Sequence, residues 1–547
     1  MINEKNVLFV YPPVSKKNEY YTFPLGMAYV YAYAKKRNIK CFSLNLNHVD
    51  EAEKSLKDAI LANDIDIIAS GGISYFWNEI EYVFVTAKRI KRGIISVCGG
   101  SIMTSTPELA MKNLPVDYGV IGEGEITFFE LISTLNNNED ISKVDGIIFR
   151  DTAGILQKSL ARKPIMDLDE LPFPDYSAFG FQRWLETDWI FQPSIKGLYY
   201  NYNEPKRIVE IIGSRSCPYE CSFCYHPLGK VYRQRSIENI FSEIEMLVKD
   251  YKINLLNFLD ELFSLDEKRI TEISGRIKKY NIKWMAQWRV DAVNENIMKT
   301  IKNSNVFLIG LGVESLNDRV LKSMKKKISA AQVKNALSIA EKAGIRTGSN
   351  LIFGDVEETE DSAKESLNWA LKNKQYDFAF DFIMAIPDSP IYRHAVNNKI
   401  ITDELQHIKK KFPVVNLSGM TRKEFEKLKR KVIFINITNY HKISAKVINS
   451  IKTSIVYRDR QIYSFNVECP LCGHTSKFEY YMFSQKPHFT VLCKNCYKTL
   501  RLRTGDVFFD EYSFIKSHFF LFGLLMYHLY LYRFIVFKKF FLYLTKK

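Results

Sequence analysis

The chain has little cysteine for its length and lacks a long apolar run at its N-terminus. Only 9 of its 547 residues are cysteine, too few for a secreted domain that depends on disulfides for stability. The opening sequence MINEKNVLFVYPP has no long apolar core and no small-residue cleavage site, so it is not predicted to be a signal peptide. Long disordered stretches are not expected, because 46% of the residues are hydrophobic and 25% are charged. We expect several folded domains in a reducing cytoplasm.

Excess positive charge is confined to one end of the chain. Residues 1–400 hold 51 Lys and Arg against 51 Asp and Glu, whereas residues 401–547 hold 26 against 10. A basic segment of this kind favours one appended surface for phosphates or anionic lipid over nucleic-acid binding along the whole chain. The alternative is a solvated basic face without a partner.

The first 150 residues alternate short apolar runs with amphipathic stretches, which predicts a flavodoxin-like (Rossmann-like) α/β domain with an open parallel sheet. The predicted strands are Val7–Tyr11, Lys40–Leu44, Asp66–Ser70, Ile94–Cys98 and Tyr118–Ile121. The predicted helices are Leu25–Arg37, Glu51–Ala62, Glu79–Lys91 and Ile126–Leu135. Glycine-rich turns follow the later strands, where a backbone without side chains can approach a ligand. No GxGxxG sequence follows the first strand, so the dinucleotide-binding fingerprint is absent.

Three cysteines follow the strand-like run Arg207–Ile212. Cys217, Cys221 and Cys224 have the spacing Cys-x3-Cys-x2-Cys. Three thiolates can hold three irons of a [4Fe–4S] cube and leave the fourth iron open for a substrate. A zinc site is the alternative, although zinc would need a fourth ligand, for which His226 is adjacent.

Strand-like and helical segments alternate after this motif, which predicts a partial TIM-type (β/α) barrel with its chemistry at the carboxyl ends of the strands. The further predicted strands are Asn254–Leu259, Trp284–Arg289, Val306–Val313, Thr347–Phe353 and Asp381–Ile386. The stretch Ala331–Ala343 has helical spacing and ends at Gly344, a residue that often terminates helices.

Several of these motifs resemble those of a known family. The sequences Tyr11-Pro12-Pro13, Pro24-Leu25-Gly26, Gly99-Gly100-Ser101 and Gly122-Glu123-Gly124-Glu125 resemble the cobalamin-binding domain that precedes the core of many radical S-adenosylmethionine (radical SAM) enzymes. The three-cysteine motif and residues 205–395 resemble the radical SAM core. The resemblance implies three cofactors: a [4Fe–4S] cluster, S-adenosylmethionine and cobalamin. In that family the open iron binds S-adenosylmethionine, which is cleaved to a 5′-deoxyadenosyl radical.

The resemblance also implies which residues bind the cofactors. Those implied for S-adenosylmethionine are Phe223, Asp260, Glu261, Arg289, Glu314 and Ser315. Those implied for cobalamin are Pro13, Leu25, Gly26, Ser70, Gly71, Gly99, Gly100, Gly122, Glu123, Gly124 and Glu125. The alternatives are structural ion pairs for the carboxylates and ordinary turn chemistry for the glycines.

Two motifs depart from the family's pattern. The Asp-x-His-x-x-Gly sequence that supplies a histidine below the cobalt is missing, and His48 is the only histidine in the first 200 residues. We therefore do not expect His48 to bind cobalt. Relatives usually carry Gly-x-Pro-Gly-Glu-Thr after the fifth barrel strand, whereas this chain has Gly354-Asp355-Val356-Glu357-Glu358-Thr359. The turn at that position is expected to have a different shape.

The C-terminal region contains a second cysteine group. Cys469 and Cys472 are separated by 20 residues from Cys493 and Cys496. Two Cys-x2-Cys pairs at that distance predict a structural zinc ribbon, which we expect to cap the substrate pocket or to engage a partner. The alternative is a second iron–sulfur centre.

The last residues, 511–547, combine aromatic and cationic side chains. The run His518–Tyr532 ends at Arg533 and is too short for a membrane span. Aromatic residues interleaved with cations suit the bilayer interface, so the tail is predicted to lie on a membrane surface. The alternative is a tail helix that docks on the barrel or at a dimer contact.

These patterns predict six segments. They are a cobalamin-binding domain at 1–150, a connector at 151–205, a radical SAM barrel at 206–400, a basic helical segment at 401–455, a four-cysteine ribbon at 456–510 and an amphipathic tail at 511–547.

The predicted function is methyl transfer to an unactivated carbon of a small or lipid-linked substrate, with a flavodoxin or ferredoxin as electron donor and without a nucleic-acid partner. No catalytic side chain is predicted beyond the cluster ligands. One alternative is ring formation or rearrangement without net methylation. RNA methylthiolation would need three further N-terminal cysteines, where only Cys41 and Cys98 are available. A zinc-ribbon adaptor on an inactive core is the non-enzymatic alternative.

Overall fold

The computed structural model describes residues 4–15, 21–186, 207–457, 460–482, 486–512, 516 and 521–526. Most of the predicted tail and part of the predicted connector therefore lie outside the described residues. No helix within the described part of the chain is long and apolar enough to cross a membrane.

The N-terminal residues form a seven-stranded sheet with the order β2-β1-β3-β4-β5-β6-β7. The strands are β1 (Val7–Tyr11), β2 (Cys41–Asn45), β3 (Ile67–Gly71), β4 (Ile95–Gly99), β5 (Tyr118–Val120), β6 (Ile147–Arg150) and β7 (Leu156–Lys158). The helices are α1 (Leu25–Lys36), α2 (Ala52–Ala62), α3 (Trp77–Ile90), α4 (Ser101–Ser105), α5 (Pro107–Asn113) and α6 (Gly124–Asn137). The first five strands are parallel, as predicted, whereas the short strands β6 and β7 extend the sheet in antiparallel fashion and were not predicted.

Strand β1 shows why this sequence forms a central parallel strand. All five of its residues are buried. Val7, Phe9 and Tyr11 pack into one apolar core, and Leu8 and Val10 pack into the core on the opposite face. A strand covered by helices on both faces needs a continuous apolar run, because neither set of alternate side chains reaches water.

Downstream of helix α7 (Phe181–Glu186), the central residues form a six-stranded parallel sheet. Its order is β15-β14-β13-β12-β11-β8, and a separate pair, β9 and β10, flanks the three-cysteine loop. The strands are β8 (Ile208–Ile211), β9 (Ser214–Arg215), β10 (Arg233–Gln234), β11 (Leu255–Phe258), β12 (Lys283–Trp288), β13 (Val306–Glu314), β14 (Thr347–Phe353) and β15 (Phe378–Phe382). The helices are α8 (Ile237–Tyr251), α9 (Glu267–Ile277), α10 (Glu295–Lys302), α11 (Asp318–Ser323), α12 (Ala330–Lys342) and α13 (Glu360–Lys372).

The two faces of the six-stranded sheet differ in chemistry. Residues of the helix-covered face belong to the main apolar core, for example Leu256, Trp284, Ile309, Leu351 and Phe380. Residues of the inner face include Glu210, Asn257, Gln287, Asn350 and Asp381, each of which alternates along its strand with residues of the other face. The inner face is therefore polar toward the carboxyl ends of the strands, whereas Leu255 and Met285 make its lower part apolar.

The last strand of this sheet corrects one prediction. Strand β15 covers Phe378–Phe382 and not Asp381–Ile386. Phe378, Phe380 and Phe382 are buried, and Ala379 and Asp381 between them are exposed. The alternation of buried and exposed side chains therefore predicts the position of this strand better than the apolar run that follows it.

The C-terminal region begins with three helices, α14 (Pro390–Asn397), α15 (Glu404–Lys409) and α16 (Arg422–Thr438). Strands and a short helix follow, namely β16 (Ile443–Ser444), β17 (Lys446–Tyr457), β18 (Arg460–Glu468), β19 (Thr475–Tyr481), β20 (His488–Leu492), β21 (Thr499–Arg503) and α17 (Thr504–Val507). The prediction that 401–455 is helical is wrong beyond Thr438. Most of β17 lies in that segment, where frequent β-branched residues favour a strand.

The C-terminal strands and their cysteine turns form a module that packs against the lower part of the barrel. Leu492 and Tyr497 contact a small apolar cluster on the sheet that includes Leu255, Met285 and Leu308. These sheet residues lie in the N-terminal halves of β11, β12 and β13. The module therefore covers the end of the barrel opposite the three-cysteine loop, and not the end where the pocket cap was expected.

A buried carboxylate joins this module to the sheet. Asp377 accepts hydrogen bonds from Lys442 Nζ at 2.5 Å and Thr499 Oγ1 at 2.7 Å, and Arg346 lies 3.5 Å away. Burial alone would raise the pKa of Asp377, but Lys442 and Arg346 hold that pKa well below its usual range. Asp377 is therefore charged at neutral pH and joins the turn after helix α16 and strand β21 to the sheet.

We predict that Asp377→Asn lowers the free energy of unfolding by about 3–5 kcal/mol, because it leaves two buried cations without their counter-charge. Urea unfolding followed by tryptophan fluorescence measures the change. Asp361→Asn is the matched control, since the side chain of Asp361 is 95% exposed. Equal destabilisation by the two substitutions would contradict the role assigned to Asp377.

Candidate active site between the two sheets

The three predicted cluster ligands lie on one loop, which begins and ends at a short antiparallel pair of strands. Arg215 of β9 pairs with Arg233 of β10, so the loop is closed at its base. Cys217 and Cys221 are buried, and Cys224 is partly exposed. The loop follows strand β8, at the carboxyl end of the sheet, which is where barrels of this type place their chemistry.

Polar atoms on this loop show that it fits a bound group. Ser222 Oγ, Tyr225 Oη and His226 Nε2 are buried and have no hydrogen-bond partner within the described part of the chain. Buried polar atoms normally have partners, so three such atoms beside Cys221 and Cys224 are consistent with a polar ligand at this position. The three thiols are the donor set that an iron–sulfur cube requires.

Glu261 faces the loop from the end of strand β11. Its Oε2 lies 3.0 Å from Nδ1 of His226. Glu261 is therefore placed beside the loop, and the contact orients the His226 ring while leaving its buried Nε2 without a protein partner.

Arg289 contacts the same loop. Its guanidinium lies 3.6 Å from the ring centroid of Tyr219, within the three-cysteine motif. It also donates hydrogen bonds to both carboxylate oxygens of Asp291 and to the carbonyl of Lys326. These bonds fix the side chain, so that Arg289 supports the loop through Tyr219.

Glu314 and Phe223 are connected by a residue that the sequence analysis missed. Lys326 Nζ lies 3.2 Å from Glu314 Oε1 and 5.9 Å from the ring centroid of Phe223. Glu314 has a left-handed backbone conformation, with φ of 63°, which is costly for a residue with a side chain. The run Lys325-Lys326-Lys327 is typical of a solvated face, but Lys326 is only 6% exposed.

Two other predicted S-adenosylmethionine residues form bonds within the fold. Asp260 accepts hydrogen bonds from the backbone N–H of Gly213 at 2.6 Å and from Ser214 Oγ at 2.7 Å. Burial raises the pKa of Asp260 to about 6 despite these bonds. Ser315 Oγ lies 3.4 Å from Ser366 Oγ. Both side chains hold strand ends in place.

The turn with the unusual Gly354–Thr359 sequence is stabilised by its own residues. The backbone N–H of Gly354 donates to Glu358, and Thr359 caps helix α13 by accepting from Ser362 N–H. Burial raises the pKa of Glu358 to about 8. An internal carboxyl group thus closes the turn at which relatives carry proline and glycine.

The glycines implied for cobalamin divide into two groups. A Cβ at Gly71 would lie 2.0 Å from the carbonyl oxygen of Gly99, and a Cβ at Gly100 would lie 2.7 Å from that of Gly72. These glycines are therefore required by the close contact of two neighbouring turns. A Cβ at Gly26 or Gly122 would meet open space, which leaves room for a ligand at those positions.

The remaining residues implied for cobalamin lie on or next to β1, β3 and the first turns of α1 and α6. Pro13 is partly exposed and Leu25 is buried. Ser70 Oγ donates a hydrogen bond to the carbonyl of Val10 at 2.8 Å. A Cβ at Gly124 would lie 3.2 Å from Val30, so Gly124 serves the packing of α6 on α1.

Exposed apolar side chains follow the strands of both sheets at the same edge. Ile73 and Tyr75 come after β3, Leu259 comes after β11, and Met384 comes after β15, and each is between 36% and 54% exposed. Large exposed apolar groups at strand ends are typical of ligand-binding surfaces. These side chains offer apolar contacts to a bulky cofactor at the carboxyl ends of the strands.

His48 is not placed as a metal ligand. Its Nε2 lies 2.5 Å from the hydroxyl of Tyr21, and a Cβ at Gly180 would meet its ring at 2.8 Å. Burial lowers the pKa of His48 to about 4. The ring is therefore neutral and enclosed by its neighbours.

Glu123 and Glu125 form ion pairs across the boundary between the sheets. Arg215 donates to Glu123 Oε1 at 2.7 Å and to Glu125 Oε1 at 2.6 Å, and Arg233 donates to Glu123 Oε2 at 2.6 Å. All four side chains are at most 7% exposed. Each carboxylate is therefore neutralised by an arginine from the base of the three-cysteine loop.

The second cysteine group forms a compact site. The Sγ atoms of Cys469, Cys472, Cys493 and Cys496 lie within 4.8 Å of one another. Two of the Sγ–Sγ distances are 3.6 Å, close to the roughly 3.8 Å edge of a tetrahedron with zinc–sulfur bonds of about 2.3 Å. An iron–sulfur cube binds its thiolates through separate irons and needs more room. The geometry suits a single metal ion.

Two family models match the chain, each over one of its sheets. Residues 13–132 match the B12-binding domain and residues 211–370 match the radical SAM superfamily. The chain therefore contains a B12-binding domain followed by a radical SAM domain, which confirms the two domain types predicted from its motifs.

Curated relatives support the same class. The chain is 29% identical to an uncharacterized methyltransferase of Pyrococcus horikoshii, over 75% of this chain and 86% of that protein. It is 22% identical to the cytidylyl-2-hydroxyethylphosphonate methyltransferase of Streptomyces wedmorensis, over 73% of this chain and 83% of that protein. It is 25% identical to the anaerobic magnesium-protoporphyrin IX monomethyl ester cyclase of Rubrivivax gelatinosus, over 59% of this chain and 57% of that protein.

Solved structures show the same fold. The cobalamin-dependent S-adenosylmethionine radical enzyme OxsB has a TM-score of 0.64 at 16% identity, over 80% of this chain and 67% of that one. The radical S-adenosylmethionine methyltransferase TsrM from Kitasatospora setae has a TM-score of 0.58 at 15% identity, over 72% and 75%.

We predict that the two cysteine groups bind different metals. Cys221→Ala is expected to remove the roughly four irons per chain of a [4Fe–4S] cluster and to leave zinc in place. Cys472→Ser is expected to remove about one zinc per chain and to leave iron in place. Elemental analysis of anaerobically purified protein measures both. Cys41→Ser, an isolated cysteine, is the control, and loss of both metals from either of the other variants would contradict separate sites.

Proposed function

We propose that this chain is a cobalamin-dependent radical SAM methyltransferase that acts on an unactivated carbon of a small or lipid-linked substrate. The observation that carries the proposal is the position of the three-cysteine loop, which is fixed against the B12-binding domain by buried ion pairs. The methyltransferases among the relatives support it, and both named above match more than four fifths of their own length.

The proposal assigns roles to residues of both domains. Cys217, Cys221 and Cys224 would hold the cluster, with S-adenosylmethionine at the open iron beside Glu261, Arg289 and the Glu314–Lys326 pair. The edge at Gly26 and Gly122 would hold cobalamin. When bound, these groups supply an adenosyl radical and a transferable methyl group. The chain's own residues place the cofactor sites next to one another and keep the cluster loop partly enclosed.

Ring formation without net methylation is the second candidate. It is favoured by the likeness to the magnesium-protoporphyrin cyclase, of which this chain matches 57%. The methyltransferases match a larger share of both sequences, so methyl transfer is the preferred function.

Cofactor chemistry tests the proposal before a substrate is known. Protein purified without oxygen and supplied with hydroxocobalamin should bind about one cobalt per chain. With a reductant and S-adenosylmethionine carrying a labelled methyl group, we expect 5′-deoxyadenosine, and label in the cobalamin fraction.

Cys221→Ala supplies the control for this experiment. It should reduce 5′-deoxyadenosine to background while cobalamin binding is retained, because the cluster and cobalamin use different residues. Binding of iron without cobalt would contradict cobalamin dependence and would favour a radical SAM reaction without cobalamin.

We also propose a cytoplasmic enzyme that contacts the membrane through its C-terminal tail. The basic end and the aromatic residues of 511–547 support this contact. Within the described part of the tail, however, Leu521, Leu524 and Leu525 pack on Ile433 and Ile437 of α16. The membrane contact is therefore assigned to the residues after 526.

Flotation with anionic liposomes tests the tail. The full chain should float and a version that ends at residue 510 should not, and added salt should weaken the binding because it screens the cationic side chains. Equal binding by both versions would contradict the membrane contact and favour the docked helix.

A further inference from the structure

Four charged side chains lie buried where the two sheets meet. Arg215 and Arg233 come from the strands that close the three-cysteine loop, and Glu123 and Glu125 come from the start of helix α6. Charged groups are rarely buried unless they are paired, since removal from water costs several kcal/mol for each ion. Here two cations face two anions, so the cluster of charges is neutral as a whole.

Each of the four charged side chains forms at least one hydrogen bond with another member of the group. Arg215 donates to both glutamates. Arg233 donates to Glu123, to the carbonyl of Ile165 and to Ser216 Oγ, which lies next to Cys217. Bonds of this kind between charged groups are short and directional, so they determine position as well as energy.

The location of the two carboxylates at the start of helix α6 also favours their negative charge. Glu123 precedes the first turn of α6 and Glu125 lies within it, where the N-terminal end of the helix dipole favours negative charge. Glu123 also accepts a hydrogen bond from the backbone N–H of Ile165 at 2.8 Å. Glu123 is therefore held by Ile165 as well as by the arginines, whereas Glu125 is placed by helix α6 and pairs with Arg215.

We propose that Glu123 and Glu125 are positioning residues for the iron–sulfur cluster, which act through Arg215 and Arg233, and are not contacts of cobalamin. The B12-binding domain thereby holds the base of the cluster loop, and the cluster is stable only while that domain is docked. This inference rests on the proposed function only in assigning the cluster to Cys217, Cys221 and Cys224.

The cluster itself reports on this role without any substrate or turnover. We expect Glu123→Gln to raise the rate at which a chelator removes iron from the reduced protein by about tenfold, because it leaves the buried Arg233 without its counter-charge and Arg215 with Glu125 alone. The paramagnetic resonance spectrum of the reduced cluster, with and without S-adenosylmethionine, should broaden. Glu125→Gln removes one of the three ion pairs and should give a smaller change in the same direction.

Glu130→Gln is the matched control. Glu130 lies on the same helix and also pairs with an arginine, Arg162, but it does not contact the cluster loop. Its substitution should leave iron release and the spectrum unchanged. Circular dichroism and the affinity for hydroxocobalamin are measured on all three variants, and that affinity should stay within about twofold of the unmodified chain.

Two results would overturn the proposal. Unchanged iron release and an unchanged spectrum in both Glu123→Gln and Glu125→Gln would show that the ion pairs do not position the cluster. Lost cobalamin affinity with an unchanged cluster would make the glutamates direct cobalamin contacts. Failure of methyl transfer in the unmodified chain, together with faster iron release from the two glutamate variants, would instead count against the proposed function alone, because the cluster measurements do not involve methyl transfer.

Discussion

Burial of charge between the two sheets is the constraint on which the rest of the site depends. The two arginines and the two glutamates lie in a buried region of low dielectric constant. There each charge is stable only while it is paired, because an unpaired buried charge costs several kcal/mol. The pairs fix the start of the cysteine loop relative to helix α6. Farther along the loop, Arg289 contacts Tyr219, and Ser222 forms backbone hydrogen bonds with Met324 and Ile391, so that the ion pairs fix the base of the loop and these contacts fix the rest.

The barrel is held at both of its ends by other parts of the chain. The B12-binding domain docks at the carboxyl end of the strands, and the C-terminal module packs at the opposite end through Leu492 and Tyr497. Helix α15 and the residues after it contact helix α3 of the N-terminal domain, where Lys409 and Lys411 pair with Glu81 and Glu79. The three regions thus form a continuous packed structure.

The periodicity of apolar residues predicted most strands of the seven-stranded and six-stranded sheets, because both sheets bury side chains in a regular pattern along the sequence. It missed the short strands β6 and β7. It also misplaced β15, where an apolar run outweighed the alternation, and missed β17, where the basic composition did so. The cysteine groups were evident because their spacing is local. The role of Lys326 and the pairing of Glu123 with Arg215 were not evident, because they depend on contacts between residues distant in sequence. The sequence alone is equally compatible with an exposed lysine and with a glutamate that contacts a ligand.

The six-stranded sheet has a consequence for access. Strands β8 and β15 are its two edges, so the sheet does not close on itself as an eight-stranded barrel does. Because the sheet is not a closed ring, a molecule that reaches its polar residues does not have to pass through a complete circle of strands. A long molecule could then insert only the segment that reacts and leave the remainder in solvent, so that its total size would place no limit on its use.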